Sequence, residues 1–397
     1  MPRREGLGRA GRDDSKENAA SMATPSFRLP PPGRMPGARP RGRSRWARFL
    51  AGVFALSAPL AAQTPPSAAP APAKPEGKPW YERVHVGGLL FGDAYAVVAH
   101  HDPAIDGQYG FWLRRGYLTL DAALAPKWSS RFRLEVNSPG DFESGSKMTP
   151  FVKDAWVAWK NGGHELTFGI SPSPTFERVE GFWGYRAVEK TPLDLYRLGS
   201  SRDFGVAWKG RAAEGKLAWH AMLGNGAGEG GETNEGKKAM LSVSFQPTKQ
   251  VVVEVYGDTE DRPESADRTT FHAFAGFKGA RSRYGAEYAT QRREADGSPD
   301  QTVSVASVFG AWELGEKLSL LARVDRAFDG IPDAGAIPYL GLAEDTEFDL
   351  FLVGLEYRIH RMVSVAPNVE VVAYRDTDGR PAPDDDLIAR LTLYVQF

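Results

Sequence analysis

The stretch Lys216–Asp258 reads KLAWHAMLGNGAGEGGETNEGKKAMLSVSFQPTKQVVVEVYGD, and its pattern recurs along most of the chain. In Lys216–Gly224, Leu217, Trp219, Ala221 and Leu223 share one face, with Lys216, Ala218 and His220 on the other. In Lys238–Gln246, Leu241, Val243 and Phe245 alternate with Ser242, Ser244 and Gln246. Period two is the mark of a β-strand with one apolar face. The two strands are joined by a long, polar, Gly-rich link, Asn225–Lys237, whereas the second is joined to Val251–Asp258 by the tight turn Pro247-Thr248-Lys249.

About sixteen such segments follow one another, from His85–His100 and Phe111–Ala123 to Val363–Tyr374 and Leu387–Phe397. Connections after even-numbered strands are short, as in Pro126-Lys127, Asn161-Gly162-Gly163 and Arg361-Met362. Those after odd-numbered strands are long and polar, as in Thr259–Arg268 and Arg375–Asp386. A soluble sandwich has no reason to sort loop length by parity. A transmembrane barrel does, because its turns on one side of the membrane are short and its loops on the other are long. Strands in lipid must also close on themselves, since every backbone polar group has to be paired internally. The fold expected is therefore all-β: a transmembrane antiparallel β-barrel of about sixteen strands occupying residues 81–397.

Composition agrees with a large strand domain preceded by a leader. The 397 residues include no Cys, which removes disulfides and thiolate metal sites. Residues 1–62 carry twelve Arg/Lys against four Asp/Glu, a net of +8, which leaves −9 for the rest of a chain whose total is −1. An acidic body argues against a nucleic-acid partner, whose phosphates need a basic stripe. Within 1–62, the basic, Pro- and Gly-rich start and the apolar run Phe49–Leu60 read as an extension and signal peptide, with Met22 or Met35 as alternative starts. The run is too short to span a membrane as a helix. Residues 63–80 form a Pro/Ala-rich linker.

One connection departs from the rest. Ser171–Arg202, SPSPTFERVEGFWGYRAVEKTPLDLYRLGSSR, is the longest segment that does not read as strand, and it is the third of the long loops. An ordered loop of this length is uncommon and usually functional, the other reading being a surface excursion. Folded inward it constricts a pore, with Arg178, Arg186, Lys190, Arg197 and Arg202 as its cations and Glu177, Glu180, Glu189 and Asp194 as its anions. Trp183 and Tyr185 are expected to pack it against the wall.

Taking apolar positions as lipid-facing, the lumen-facing cations are Arg115, Arg131, Arg133, Lys209, Lys216, Arg281, Arg283, Arg323, Arg358 and Arg390. Glu135, Asp154, Asp203, Glu254, Glu287, Asp325, Glu356 and Glu370 interleave with them. This lining is mixed, so pairing across a wet lumen and a role in ion selection both stay open. The seven His are scattered without a Ser/His/Asp grouping, which speaks against a hydrolase. His100 and His101 read as a loop edge, because neighbours on a strand point to opposite faces, and no metal or cofactor is expected.

Two resemblances add to this reading. LTLYVQF at Leu391–Phe397 resembles the terminal strand by which outer-membrane proteins are recognised by the barrel-assembly machinery. LRRGYLTLDAAL, VKDAWVAW, LTFGISPSPTFERVEGF and LDLYRLGSSRDFGVAWKG, within Phe111–Lys209, look like the phosphate-selective porin O and P family. The resemblance implies a bacterial outer-membrane porin, in contact with outer-membrane lipid, passing small polar or anionic solutes, phosphate among them. It implies phosphate less firmly than it implies a porin, because the family's arginine ladders and lysine clusters do not map position by position. Assembly as a homotrimer is a further expectation. A structural or adhesive barrel with a blocked lumen is the alternative.

Overall fold

The computed structural model describes residues 79–397, apart from 144, 146, 264, 265, 295, 296, 298 and 378. The expected leader and the linker up to residue 78 lie outside the described residues. Sixteen antiparallel strands close into one barrel, each bonded to its neighbours in sequence. They are β1 (Val84–Ala99), β2 (Tyr109–Ala125), β3 (Trp128–Asn137), β4 (Thr149–Asn161), β5 (His164–Pro172), β6 (Arg202–Ala212), β7 (Leu217–Gly224) and β8 (Lys238–Phe245). β9 (Val251–Glu260), β10 (Arg268–Lys278), β11 (Ser282–Arg293), β12 (Gln301–Glu313), β13 (Leu318–Ala327), β14 (Phe348–His360), β15 (Val363–Tyr374) and β16 (Asp386–Gln396) complete the ring. β1 pairs with β16 from Leu89↔Gln396 to Ala99↔Leu387, which removes the free edge that a bilayer would not tolerate. The Phe397 ring lies over Gly88, where a Cβ would stand 2.1 Å from the ring.

The alternation expected from the sequence sorts the two faces. Leu241 is 47% exposed and its neighbour Ser242 only 5%. Near the tight turns the outer face carries Trp128, Trp208, Phe245, Phe277, Tyr284 and Tyr357, an aromatic girdle of the kind that marks a membrane interface. Among the described residues no helix is long and apolar enough to cross a membrane, so the crossing is made by strands.

The structure differs from simple alternation in two ways. On β2, Phe91 pairs with Arg115 and Gly92 with Leu113, so Arg114 is the extra residue of a β-bulge. On β4, Arg133 pairs with Asp154 and Leu134 with Val152, which makes Lys153 the extra residue there. A bulge re-aims side chains. Arg114 and Arg115 thereby both turn inward, as do Lys153 and Asp154.

The second difference is that apolar positions are not all lipid-facing. On β14, Phe351 and Val353 face outward, yet Leu350 and Leu352 are fully buried on the inner face. Val303, Val305 and Phe309 of β12 and Leu321 of β13 join them in one apolar cluster inside the barrel. A strand covered on both faces is apolar on both. What covers the inner face is the long loop, together with Ile331, Ile337, Leu340 and Leu342 of the β13–β14 connection.

Candidate functional site

β5 runs on to Pro172 and β6 begins at Arg202, so the loop proper is 173–201. It carries two short helices, α1 (Glu177–Trp183) and α2 (Pro192–Leu195). α1 packs against β11 and β12, and α2 against β12. Phe176, Val179, Trp183, Val188, Leu193, Leu195, Tyr196 and Leu198 bury their side chains in the cluster formed with the inner wall. The loop therefore folds into the lumen and is held there by apolar burial. Trp183 meets Phe309 edge-on at 5.4 Å and donates its indole N–H to Glu189 O at 2.8 Å. Gly184 ends α1 with φ +71, and the Arg283 guanidinium lies 2.6 Å from where a Cβ would be. Only glycine suits both the left-handed backbone and that contact. Arg283 donates to Trp183 O at 3.0 and 3.2 Å.

The charged residues of the loop, with Arg202 at its exit and Arg197 apart, fall into three groups. Arg186 donates to both Glu180 and Asp194, so one guanidinium serves two carboxylates. Burial works to raise the Asp194 carboxyl, but Arg186, then Lys190 and Arg115, hold it below the ordinary carboxylate range. Glu180 is pushed up by burial and by Asp194 against the pull of Arg186. Lys190 is depressed to about 8, first by burial and then by Arg115 and Arg186, with Asp194 opposing. Its backbone carbonyl accepts from Arg323, while its ammonium has no hydrogen-bond or ion-pair partner among the described residues.

The second group ties the loop to the far wall. Glu189, fully buried, lies 3.3 Å from Arg114 and 3.4 Å from Arg390. Those two arginines overcome the upward push of burial and hold its carboxyl below the usual value. Arg114 also reaches Asp93 at 3.4 Å and Val188 O at 2.9 Å, and Arg390 reaches Glu370 at 2.5 Å. The third group faces the remaining wall, through Arg178 to Glu254 at 2.7 Å, Glu177 to Lys209 at 2.9 Å, and Arg202 to Asp154 at 2.5 Å.

Between the loop and β1–β4 on one side and β14–β16 on the other lies a cavity of about 720 Å³. Arg131, Arg133 and Lys153 line its wall, with Arg186 and Arg202 from the loop region, against Asp121, Glu177, Glu180 and Glu356. Arg131 is paired with Asp121 at 2.7 Å and Arg133 with Asp154 at 3.3 Å. A second cavity of about 510 Å³ lies between the loop and β4–β9, lined by Glu177, Arg178, Lys209 and His220.

Several residues read from the sequence fall elsewhere. Arg197, in the left-handed region at φ +56, donates to Ala336 O in the β13–β14 loop and so belongs to the mouth. Arg281 sits in the exposed turn before β11, and Arg358 is exposed near the turn end of β14. Arg114 and Lys153 are not among the expected lumen-facing residues, although on β2 the phase of the outward residues marks the bulge. Phe111 and Leu113 are followed outward by Leu118 and Leu120, a step of odd length that demands a bulge between them.

Neither a protein-family model nor a curated protein matches the chain. Solved structures match by fold. An anion-selective porin from Comamonas acidovorans gives a TM-score of 0.57 at 12% identity, covering 79% of this chain and 99% of that one. OmpF of Salmonella typhi, in complex with daunomycin, gives 0.58 at 11% identity, covering 79% and 97%. OmpT of Vibrio cholerae, folded in vitro and in trimer form, gives 0.55 at 13% identity, covering 79% and 99%. Identities this low speak for the fold alone, and the fold is that of the bacterial outer-membrane porins. The protein is a sixteen-stranded β-barrel of a Gram-negative outer membrane.

Proposed function

We propose that the chain forms a channel for passive diffusion of small polar or anionic solutes, and that it is not an enzyme. The observation that carries this is the loop 173–201, pinned inside the barrel, whose Glu180 and Asp194 share Arg186 across a cavity from Arg131, Arg133 and Lys153. Opposed charge at a narrowing sets a transverse field that orients polar solutes. Its cations are mostly paired, so the preference for anions is mild, and phosphate passes as one small anion among others. The anion-selective porin among the structural neighbours is in keeping with that sign. We read Leu391–Phe397 as the segment met by the assembly machinery. Association into homotrimers belongs to the same proposal, with the trimer form of OmpT as its precedent.

Reconstitution into a planar bilayer tests it. Stepwise, ohmic conductance with a reversal potential displaced slightly toward the chloride value is the expected result. Folded protein that gives no conductance above bare lipid would replace the channel with a barrel whose lumen is blocked.

A further inference from the structure

The seam of the barrel holds a cluster that the pore does not use. Just beyond β1, His100 and His101 do not point to opposite faces as their adjacency on a strand would require. The chain has left the strand there, and the two rings stack at 4.5 Å. Both turn toward Asp386, the first residue of β16, which is 1% exposed. His101 Nδ1 lies 2.9 and 3.2 Å from the two Asp386 oxygens, and His100 Nε2 lies 3.9 Å from Oδ2. Tyr374, the last residue of β15, donates its hydroxyl to Asp386 at 2.5 Å and stands 3.4 Å from His101 Nδ1.

We propose that His100, His101 and Asp386 form a binding site for a divalent transition-metal ion, zinc by preference, at the long-loop end of the β1–β16 seam. One atom from each of the three residues can be chosen so that all lie within 4.8 Å of one another. In a tetrahedral zinc site with bonds of about 2.0–2.1 Å, neighbouring ligand atoms are about 3.3 Å apart. The two imidazole nitrogens lie 3.2 and 3.9 Å from one Asp386 oxygen, Oδ2, close to that value. Two imidazoles and one carboxylate are a donor set suited to zinc, and an all-oxygen set for calcium or magnesium is absent from this site. The Tyr374 hydroxyl stands beside the fourth position. His101 is 17% exposed at its side chain, which gives an ion a way in from solvent.

Binding rearranges two protons and releases neither. Without the ion, His100 accepts the Asp102 N–H on Nδ1 at 3.0 Å and donates from Nε2 to Leu340 O at 3.0 Å. To ligate through Nε2, its proton moves to Nδ1, at the cost of those two hydrogen bonds. His101 moves its proton from Nδ1 to the open Nε2. Each imidazole stays neutral, as a metal ligand must. The ion then joins the end of β1 to β16 at the seam, where Tyr374 of β15, bonded to Asp386, also accepts the Ala343 N–H of the β13–β14 loop at 3.0 Å.

The untagged full chain, folded in detergent and freed of metal, is titrated with zinc chloride in competition with a chromogenic chelator. One zinc per chain is expected, with affinity at least tenfold weaker in His101→Ala and in Asp386→Asn and unchanged in His272→Ala, whose ring lies on β10 beside Glu287 and outside the cluster. Zinc should also raise the unfolding temperature of the parent and of His272→Ala, since an ion that binds only the folded barrel stabilises it. His101→Ala leaves the Asp386–Tyr374 bond in place and serves if Asp386→Asn does not fold. No zinc held by the folded parent, or equal affinity in parent and His101→Ala, would overturn the site.

Discussion

Replacing Arg186 with Ser removes the one guanidinium that serves both Glu180 and Asp194. With Lys190 counted, the local charge falls from zero to −1. A unit charge acts on an ion about 5 Å away with about 0.8 kcal/mol at the dielectric constant of water, and with about 3 kcal/mol at an effective value of 20. The throat is wet, so the lower figure applies, and screening at ~0.1 M salt reduces it to about 0.5 kcal/mol. The change acts with opposite sign on K⁺ and Cl⁻, so their permeability ratio moves by about 1 kcal/mol, roughly fivefold toward the cation. In a tenfold KCl gradient, that is a displacement of about 30 mV in reversal potential. Arg197→Ser is the control, because Arg197 is bound to Ala336 O at the mouth and not to the triad. It should leave the potential where it was. Equal displacement by the two variants, or none from Arg186→Ser, would refute the placement of the selective charge.

Four further expectations rest on the same geometry. Lys190, depressed to about 8, should lose its charge between pH 7 and 9, moving the reversal potential toward cations over that range, and Lys190→Met should remove the pH dependence. The unfolded chain keeps that proton up to the ordinary value of 10.5, so between about 8 and 10.5 this group makes stability rise with pH, which denaturant titration at pH 7.5 and 9.5 measures. Leu241→Arg, on the outer face, should cost about 2–4 kcal/mol of folding free energy if it lies near the midplane. Ser244→Arg, which lines the smaller cavity, should cost far less, and equal losses in refolding yield would reverse the facing assignment. Trp183→Ala should loosen the loop by about 3–5 kcal/mol and raise both conductance and open-channel noise, whereas an unchanged current would mean that the loop is held without it.

The barrel was legible because its two signals are independent of each other. Alternation such as Leu241-Ser242-Val243-Ser244 comes from the pleat, and the sorting of loop lengths comes from the topology. The loop's length and its aromatic residues also pointed to its place, and Trp183 does pack on the wall. What alternation could not supply was anything that depends on a bulge or on a second covered face. Arg114 and Lys153 turn inward only because a residue is inserted in each strand, and Leu350 and Leu352 are apolar because they share one buried cluster with residues of the long loop and of the β13–β14 connection. The pairing of Asp386 with His101 joins residues 285 apart in sequence, and nothing local to either announces it.

Ala187 lines the larger cavity next to Arg186, and the chain has no cysteine of its own. Ala187→Cys therefore places a single thiol at the proposed constriction. Single-channel current through this variant, recorded before and after a charged methanethiosulfonate reagent is added, tests directly whether the loop 173–201 sets the pore. A loop that sets the pore gives a stable drop in current on modification, with the reversal potential moving in the direction of the charge attached. Modification of the thiol with no change in current would contradict it and place the conducting path away from the loop.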